Sequence, residues 1–227
     1  MHALDNVIWQ ALTTRQTEFA EGSEHARRFV REVTSLTAFE EASPQGYASL
    51  ADLVGPGGTA ALFLESVYEP RSGWDMVADA PLLQMVSANG VPQRQSDSAA
   101  QIVRLGPEDS PEMVELAVLT KPGPFGSRTH ELGTYMGIRR EGILVAMAGE
   151  RLKVPGYTEV SAVCTHPKHT GKGYARMLMI EIMRGIRDHG ETPFLHVRQN
   201  NARAVELYER LGFRTRVVSY LAVLRKT

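Results

Sequence analysis

The strongest chemical signal lies in residues 160–175. There the β-prone run Val160-Ser161-Ala162-Val163-Cys164-Thr165 enters His166-Pro167-Lys168-His169-Thr170-Gly171-Lys172-Gly173, and a helical stretch opens at Tyr174-Ala175. A strand, a glycine-bearing loop and a helix start, in that order, build an anion site. The first backbone N–H groups of a helix have no intrahelical acceptor and carry partial positive charge, and glycines let a pyrophosphate approach the chain closely. Gly171 and Gly173 allow that approach, and Lys172 adds a mobile charge. Two other nucleotide loops fail on spacing. Tyr174 stands where a P-loop needs a magnesium-binding hydroxyl, and Arg176 occupies the third glycine of a G-x-G-x-x-G fingerprint.

Groups able to move protons flank this loop. Glu159 shares a strand face with Ser161 and Val163, a single carboxylate on an apolar strand. A salt-bridged strand-end carboxylate would look the same. His196, in Leu195-His196-Val197, puts an imidazole with an ordinary pKa of about 6.5 on a second strand, where a satisfied core histidine is the competing account. Tyr208 follows Asn201 by about two helical turns, so both share one helix face, as an aromatic packing anchor would too. Cys164 has no recognisable activating base beside it. His166 and His169 lack acidic or cysteine partners at ligand spacing, so they shape the loop and no metal is expected.

The elements that must position these groups follow from hydrophobic period and breakers. Strands are expected at residues 158–164, 194–198 and 217–224, and helices at 173–189 and 202–211. The first of these helices carries Ala175, Leu178, Met179, Ile182 and Ile186 near one face. Residues 135–139 and 143–149 flank Arg140-Glu141-Gly142 as a hairpin, and 111–121 reads as a helix capped by Ser110 and ended by a proline-rich loop. Upstream, residues 24–39 place Phe29, Val33, Leu36 and Phe39 near helical spacing, and 59–67 reads as a buried strand. Gly55-Pro56-Gly57-Gly58 runs into that strand, so it is a turn and no phosphate loop. The polar stretch 90–100 marks a boundary, dividing the chain into domains 1–97 and 98–227 with a mixed α/β architecture.

Composition bounds the partners. The 227 residues are 43% hydrophobic and 22% charged with a formal net charge of −1, a soluble globular balance with no basic field for nucleic acid or a membrane surface. No apolar run approaches a membrane span, and the N-terminal residues lack the basic-then-apolar order of a signal peptide. With Cys164 the one cysteine, no intrachain disulfide can form, and a reducing cytoplasm fits best.

Two ordered motifs tie these readings together. Thr170-Gly171-Lys172-Gly173-Tyr174-Ala175 is similar to the Q/R-x-x-G-x-G/A loop of the GNAT N-acetyltransferase superfamily, with Thr170 departing from the usual Gln or Arg. Asn201-Ala202-Arg203-Ala204-Val205-Glu206-Leu207-Tyr208-Glu209-Arg210-Leu211-Gly212-Phe213 resembles its N-x-x-A-x-x-L-Y-x-x-x-G-F helix. The resemblance covers residues 102–223. The first half looks like the degenerate GNAT-like partner domain of two-domain relatives such as glycine N-acyltransferases.

The resemblance implies a GNAT fold in the second half and acetyl-CoA as co-substrate. It implies that backbone groups of Val163, Cys164 and Thr165 hold the pantetheine arm, and that Thr170, Gly171, Lys172, Gly173, Tyr174, Ala175, Arg176 and Asn201 complete the cofactor site. It further implies direct acetyl transfer to a small-molecule amine or amino acid, with Glu159 as general base, His196 as its rival, and Tyr208 protonating the departing thiolate. Phe125, Arg128 and Tyr135, in the loop before these strands, are the acceptor-side candidates, Arg128 being suited to clamp a carboxylate. A catalytically silent acyl-CoA sensor and an O-acyltransferase remain the alternatives. A homodimer is compatible with the sequence.

Overall fold

The computed structural model describes residues 2–88, 90–92 and 100–227. The first half supplies α1 (Val7–Thr13), β1 (Ala20–Gly22), β2 (Ala26–Phe29), β3 (Thr37–Phe39), α2 (Pro44–Val54), β4 (Thr59–Leu64) and β5 (Trp74–Ser87). The second supplies β6 (Ile102–Leu105), α3 (Ser110–Thr120), β7 (Tyr135–Arg140), β8 (Ile143–Val154), β9 (Tyr157–Thr165), α4 (Tyr174–Asp188), β10 (Thr192–Arg198), α5 (Ala202–Arg210) and β11 (Phe213–Lys226).

Local chemistry explains the turns. Glu141 and Gly142 both take left-handed φ angles, 53° and 81°, which is the two-residue turn a right-twisted hairpin between β7 and β8 prefers. The helix expected from the spacing over 24–39 is corrected. Residues 26–29 and 37–39 are strands, and the Phe29 N–H donates to the Leu36 carbonyl at 3.1 Å, so Val33 and Leu36 are buried inside the connecting turn. Sheet pairing overrides a spacing that a strand-turn-strand can also satisfy. Ser110 is the first residue of α3 and not its cap, since its hydroxyl donates to the Ser127 carbonyl at 2.5 Å.

The main sheet has eight strands in the order β4-β11-β5-β10-β9-β8-β7-β6, with β1-β2-β3 as a smaller sheet. The halves exchange their last strands. First-half β5 pairs antiparallel with β10 from Phe194↔Val86 to Arg198↔Leu82, and second-half β11 pairs with β4 from Tyr220↔Leu64 to Arg225↔Thr59. Residues 1–97 and 98–227 therefore share one continuous sheet, and the boundary expected between 97 and 98 lies outside the described residues.

The amphipathic helix α4 buries Leu178, Met179, Ile182, Met183 and Ile186 against Ala146, Ala148, Val160, Leu195 and Val197 of the sheet. Each such aliphatic side chain contributes about 1.5–3 kcal/mol on burial. The opposite sheet face takes α1, through Val7, Ile8, Ala11 and Leu12 on Leu152, Val154 and Phe194, and takes α3, through Met113, Leu116 and Ala117 on Leu144, Met147 and Cys164. Alternation along β10 thus sends Leu195 and Val197 to one face and Phe194 to the other.

Candidate active site

The site is built where parallel strands part. β9 and β10 pair only over Thr192↔Tyr157, Pro193↔Thr158 and Phe194↔Glu159. Beyond Glu159, β9 also bulges: Met147 faces Cys164 and Gly149 faces Ser161, so Ala162 and Val163 together oppose Ala148, and Ala162 takes φ 53°. The result is a bent strand whose edge at Val163, Cys164 and Thr165 opens into a cavity of about 420 Å³. An open strand edge offers N–H and C=O groups to an extended ligand.

The same cavity is lined by Thr170, Gly171, Lys172, Gly173, Tyr174, Ala175, Arg176, Asn201 and Tyr208, so the structure brings all the expected cofactor residues together with the expected acid. Gly171 and Gly173 have φ 79° and 76°, and no atom lies within 4 Å of the position a Cβ would take at either. Gly173 caps α4 without any side chain, leaving the first N–H groups of a 15-residue helix facing the cavity side. Lys172, Arg176, Arg203 and Arg210 add positive charge to the lining, against one carboxylate, Glu206, among the described residues. This cradle fits a pyrophosphate.

Individual side chains divide the work. The Thr170 hydroxyl donates to the Pro167 carbonyl at 3.2 Å and so stabilises the loop itself. The Tyr174 ring is buried and its hydroxyl accepts from Arg140 Nε at 2.8 Å, so this residue offers the cavity its backbone. Asn201 caps α5, its Oδ1 accepting from the Ala204 N–H at 3.3 Å. Tyr208 is 8% exposed, and its hydroxyl has no hydrogen-bond partner among the described residues. Burial, with Cys164 nearby, pushes its pKa up to about 12, so the phenol holds its proton at neutral pH.

Glu159 and His196 are drawn together in a buried hydrogen-bonded network. Glu159 is fully buried; its Oε2 accepts from Arg151 Nε at 2.8 Å, and its Oε1 accepts from the Arg151 second guanidinium nitrogen at 2.8 Å and from His196 Nδ1 at 2.7 Å. Burial opposes its ionisation, but the Arg151 charge and hydrogen bonds, with that of His196, outweigh it and hold the carboxyl at about 2. Such a group has almost no affinity for a proton at neutral pH. With Nδ1 donating to Glu159, His196 Nε2 is left as an acceptor for the Gln84 amide at 3.2 Å, and Gln84 Oε1 accepts from Arg216 at 2.9 Å. Neither Glu159 nor His196 lines the cofactor cavity, and His196 instead borders a separate cavity of about 320 Å³ beside Gln84 and Arg216. Both belong to a buried network that ties β8, β9, β10, β5 and β11 together.

On the acceptor side the candidates separate. Phe125 lines a second cavity, of about 490 Å³, between α3, the ends of β4 and β10, and β11. Arg128 does not reach it: both its Nε and a terminal nitrogen donate to Glu131, each at 2.7 Å. Tyr135 is 1% exposed; its ring packs edge-on against Phe125 at 5.8 Å and fills the space a side chain at Gly149 would need, so it floors the loop. Two residues of the cavity escaped the sequence reading, Lys121 and Arg198. Alternation with His196 along β10 was the available signal for Arg198. Cys164 links the two cavities, lining the first and packing in one apolar cluster with Ala117 and Phe125 of the second.

Comparison with known proteins gives the same architecture. The family described as FR47-like protein matches residues 135–222. A solved GNAT-family protein from Novosphingobium aromaticivorans DSM 12444 is 38% identical, with 100% of each chain covered and a TM-score of 0.92. A GCN5-related N-acetyltransferase from Kribbella flavida is 17% identical, covering 99% of this chain and 94% of that one at a TM-score of 0.63. A tandem GNAT protein from the clavulanic acid biosynthesis pathway is 13% identical, covering 88% and 78% at 0.55. The last two share the fold. No curated protein matches the sequence. The splayed β9 and β10, the glycine-started α4 and the full-length likeness agree, and the chain belongs to the GNAT family of acetyltransferases.

Proposed function

We propose that this enzyme N-acetylates a small-molecule amine by direct transfer from acetyl-CoA. The observation that carries the reading is the single cavity in which the open edge of β9, the free N-terminus of α4 and the Tyr208 phenol meet. Acetyl-CoA supplies the acyl group as a thioester. The N–H groups of residues 173–176 bind the pyrophosphate, and the backbone of Val163–Thr165 receives the pantetheine as an added strand. Tyr208 gives its proton to the sulfur as the C–S bond breaks and the C–N bond forms. Among its described residues the lining of the second cavity holds no carboxylate or imidazole, so in this reading the amine enters neutral and releases its proton to water.

The first half, residues 1–97, is read as a degenerate GNAT-like unit that completes the sheet. Support comes from an isolated parallel bridge between Leu36, just before β3, and Ala61 of β4, in the same sense as the parallel β9 and β10, and from the reciprocal exchange of β5 and β11. Calorimetric titration with acetyl-CoA, followed by mass spectrometry of a panel of amines, tests the function. Saturable binding and an N-acetylated product are expected. Binding without any acetylated amine would mark a sensor, and esters in place of amides an O-acyltransferase.

A further inference from the structure

The second cavity carries charge of one sign. Among its described lining residues Arg198 and Lys121 are the charged ones, with no carboxylate among them. Among the described residues neither side chain has a hydrogen-bond or ion-pair partner. Three other arginines on the sheet are paired: Arg139 with Asp109 and Glu112, Arg151 with Glu159, and Arg216 with Asp5. The remaining walls are largely apolar, among them Ala61, Val118, Phe125 and Leu221. Both are solvent-exposed, and two cations without a partner in the lining of a largely apolar concavity suit an anionic group on an apolar body.

The position of Arg198 relates this receptor to the reaction. It is the last residue of β10 and lies on the cavity face, opposite Leu195 and Val197. Its carbonyl accepts from the Asn201 N–H at 2.9 Å, and Asn201 is in the wall of the cofactor cavity. One short turn of chain therefore carries a cation on the acceptor side and a cofactor contact on the other. Resting on the acetyltransferase reading above, we propose that the acceptor is an amine bearing a carboxylate on an apolar body, and that Arg198, with Lys121, is the specificity-determining clamp. At about 490 Å³ with apolar walls, the cavity suits a branched or aromatic body better than a bare glycine.

The test uses matched acceptors, L-leucine with 3-methylbutylamine and L-phenylalanine with 2-phenylethylamine, which differ by the carboxylate. Free CoA thiol is followed with the wild-type chain, Arg198→Gln and Arg198→Gln/Lys121→Gln. The carboxylate-bearing member is expected to have the higher kcat/KM by roughly 10- to 100-fold, the worth of a charge-assisted hydrogen bond. Arg198→Gln should erase that preference mainly through KM, with acetyl-CoA affinity unchanged. Equal rates within each pair, or a preference that survives the double substitution, would overturn the proposal while leaving the acetyltransferase reading intact. If no amine releases CoA, that reading fails, and the clamp is judged by calorimetry with N-acetyl-L-leucine against N-(3-methylbutyl)acetamide. Saturable binding of the carboxylate alone, lost in Arg198→Gln, supports the clamp, and its absence refutes it.

Discussion

Replacing Glu159 with Gln keeps the shape of a buried side chain and removes its charge. Arg151, 6% exposed and bound to both Glu159 oxygens, then becomes an uncompensated buried cation. Breaking one side of such a pair costs about 3–5 kcal/mol. A second route gives a similar figure: moving the carboxyl from its ordinary 4.5 to about 2 corresponds to roughly 3 kcal/mol. In a chain of this length each kcal/mol shifts Tm by about 2–4 °C, so Glu159→Gln should melt roughly 6–20 °C below wild type at pH 7. Because the folded-state pKa is depressed, this stabilisation is complete above about pH 4.5 and is lost as the pH falls toward 2. Calorimetric melts of both proteins from pH 7 downward should therefore converge across that window. Below the variant's melting temperature, its acetyl transfer should stay within a few-fold of wild type. A variant melting within about 2 °C of wild type at pH 7 would refute the energetic reasoning. A loss of turnover beyond about 100-fold in the folded variant would return Glu159 to the role of base.

Tyr208→Phe should lower kcat by at least about 100-fold with acetyl-CoA affinity nearly unchanged, measured by steady-state kinetics and calorimetry; wild-type turnover would remove Tyr208 from the reaction. Gly173→Ala forces a side chain into φ 76°, at a cost of about 1–2 kcal/mol, and sets a methyl where the pyrophosphate approaches. Its melting temperature should fall modestly and its acetyl-CoA affinity about tenfold, and unchanged affinity would contradict the cradle. With no carboxylate or imidazole among the described lining residues of the second cavity, kcat/KM for the amine should rise about tenfold per pH unit below the amine pKa, whereas a plateau above about pH 7 would reveal an enzyme base. Burial pushes the Cys164 thiol up to about 11, so about a thousandth is thiolate at pH 8, and iodoacetamide should alkylate the native protein far more slowly than the urea-unfolded chain.

The local geometry of the candidate cofactor cavity was legible because a backbone anion cradle demands a local pattern. Glycines at 171 and 173 with positive φ, a helix starting at Tyr174, and Asn201 and Tyr208 two turns apart all lie within continuous segments. The bulge at Ala162 was not legible, because an alanine in the left-handed region leaves no compositional mark. The fate of Glu159 was invisible for a related reason. A lone carboxylate on an apolar strand suggests function, and only the packing of β8 against β9 reveals Arg151 eight residues away as its partner. The second cavity draws on Thr59, Lys121, Arg198 and Leu221, which strand exchange brings together from both halves. Pairing of β4 with β11 is a long-range choice that hydrophobic period does not encode. The same limitation affected residues 24–39, where helical spacing served two short strands.

The central claim is acetyl transfer from acetyl-CoA to an amine with Tyr208 as the proton donor. Its most direct test is the amine-dependent appearance of free CoA thiol. The account predicts that thiol release requires both protein and amine, matches the N-acetylated product mole for mole, and collapses in Tyr208→Phe. Tight acetyl-CoA binding with no amine-dependent thiol release across charged, neutral, aliphatic and aromatic amines would contradict it.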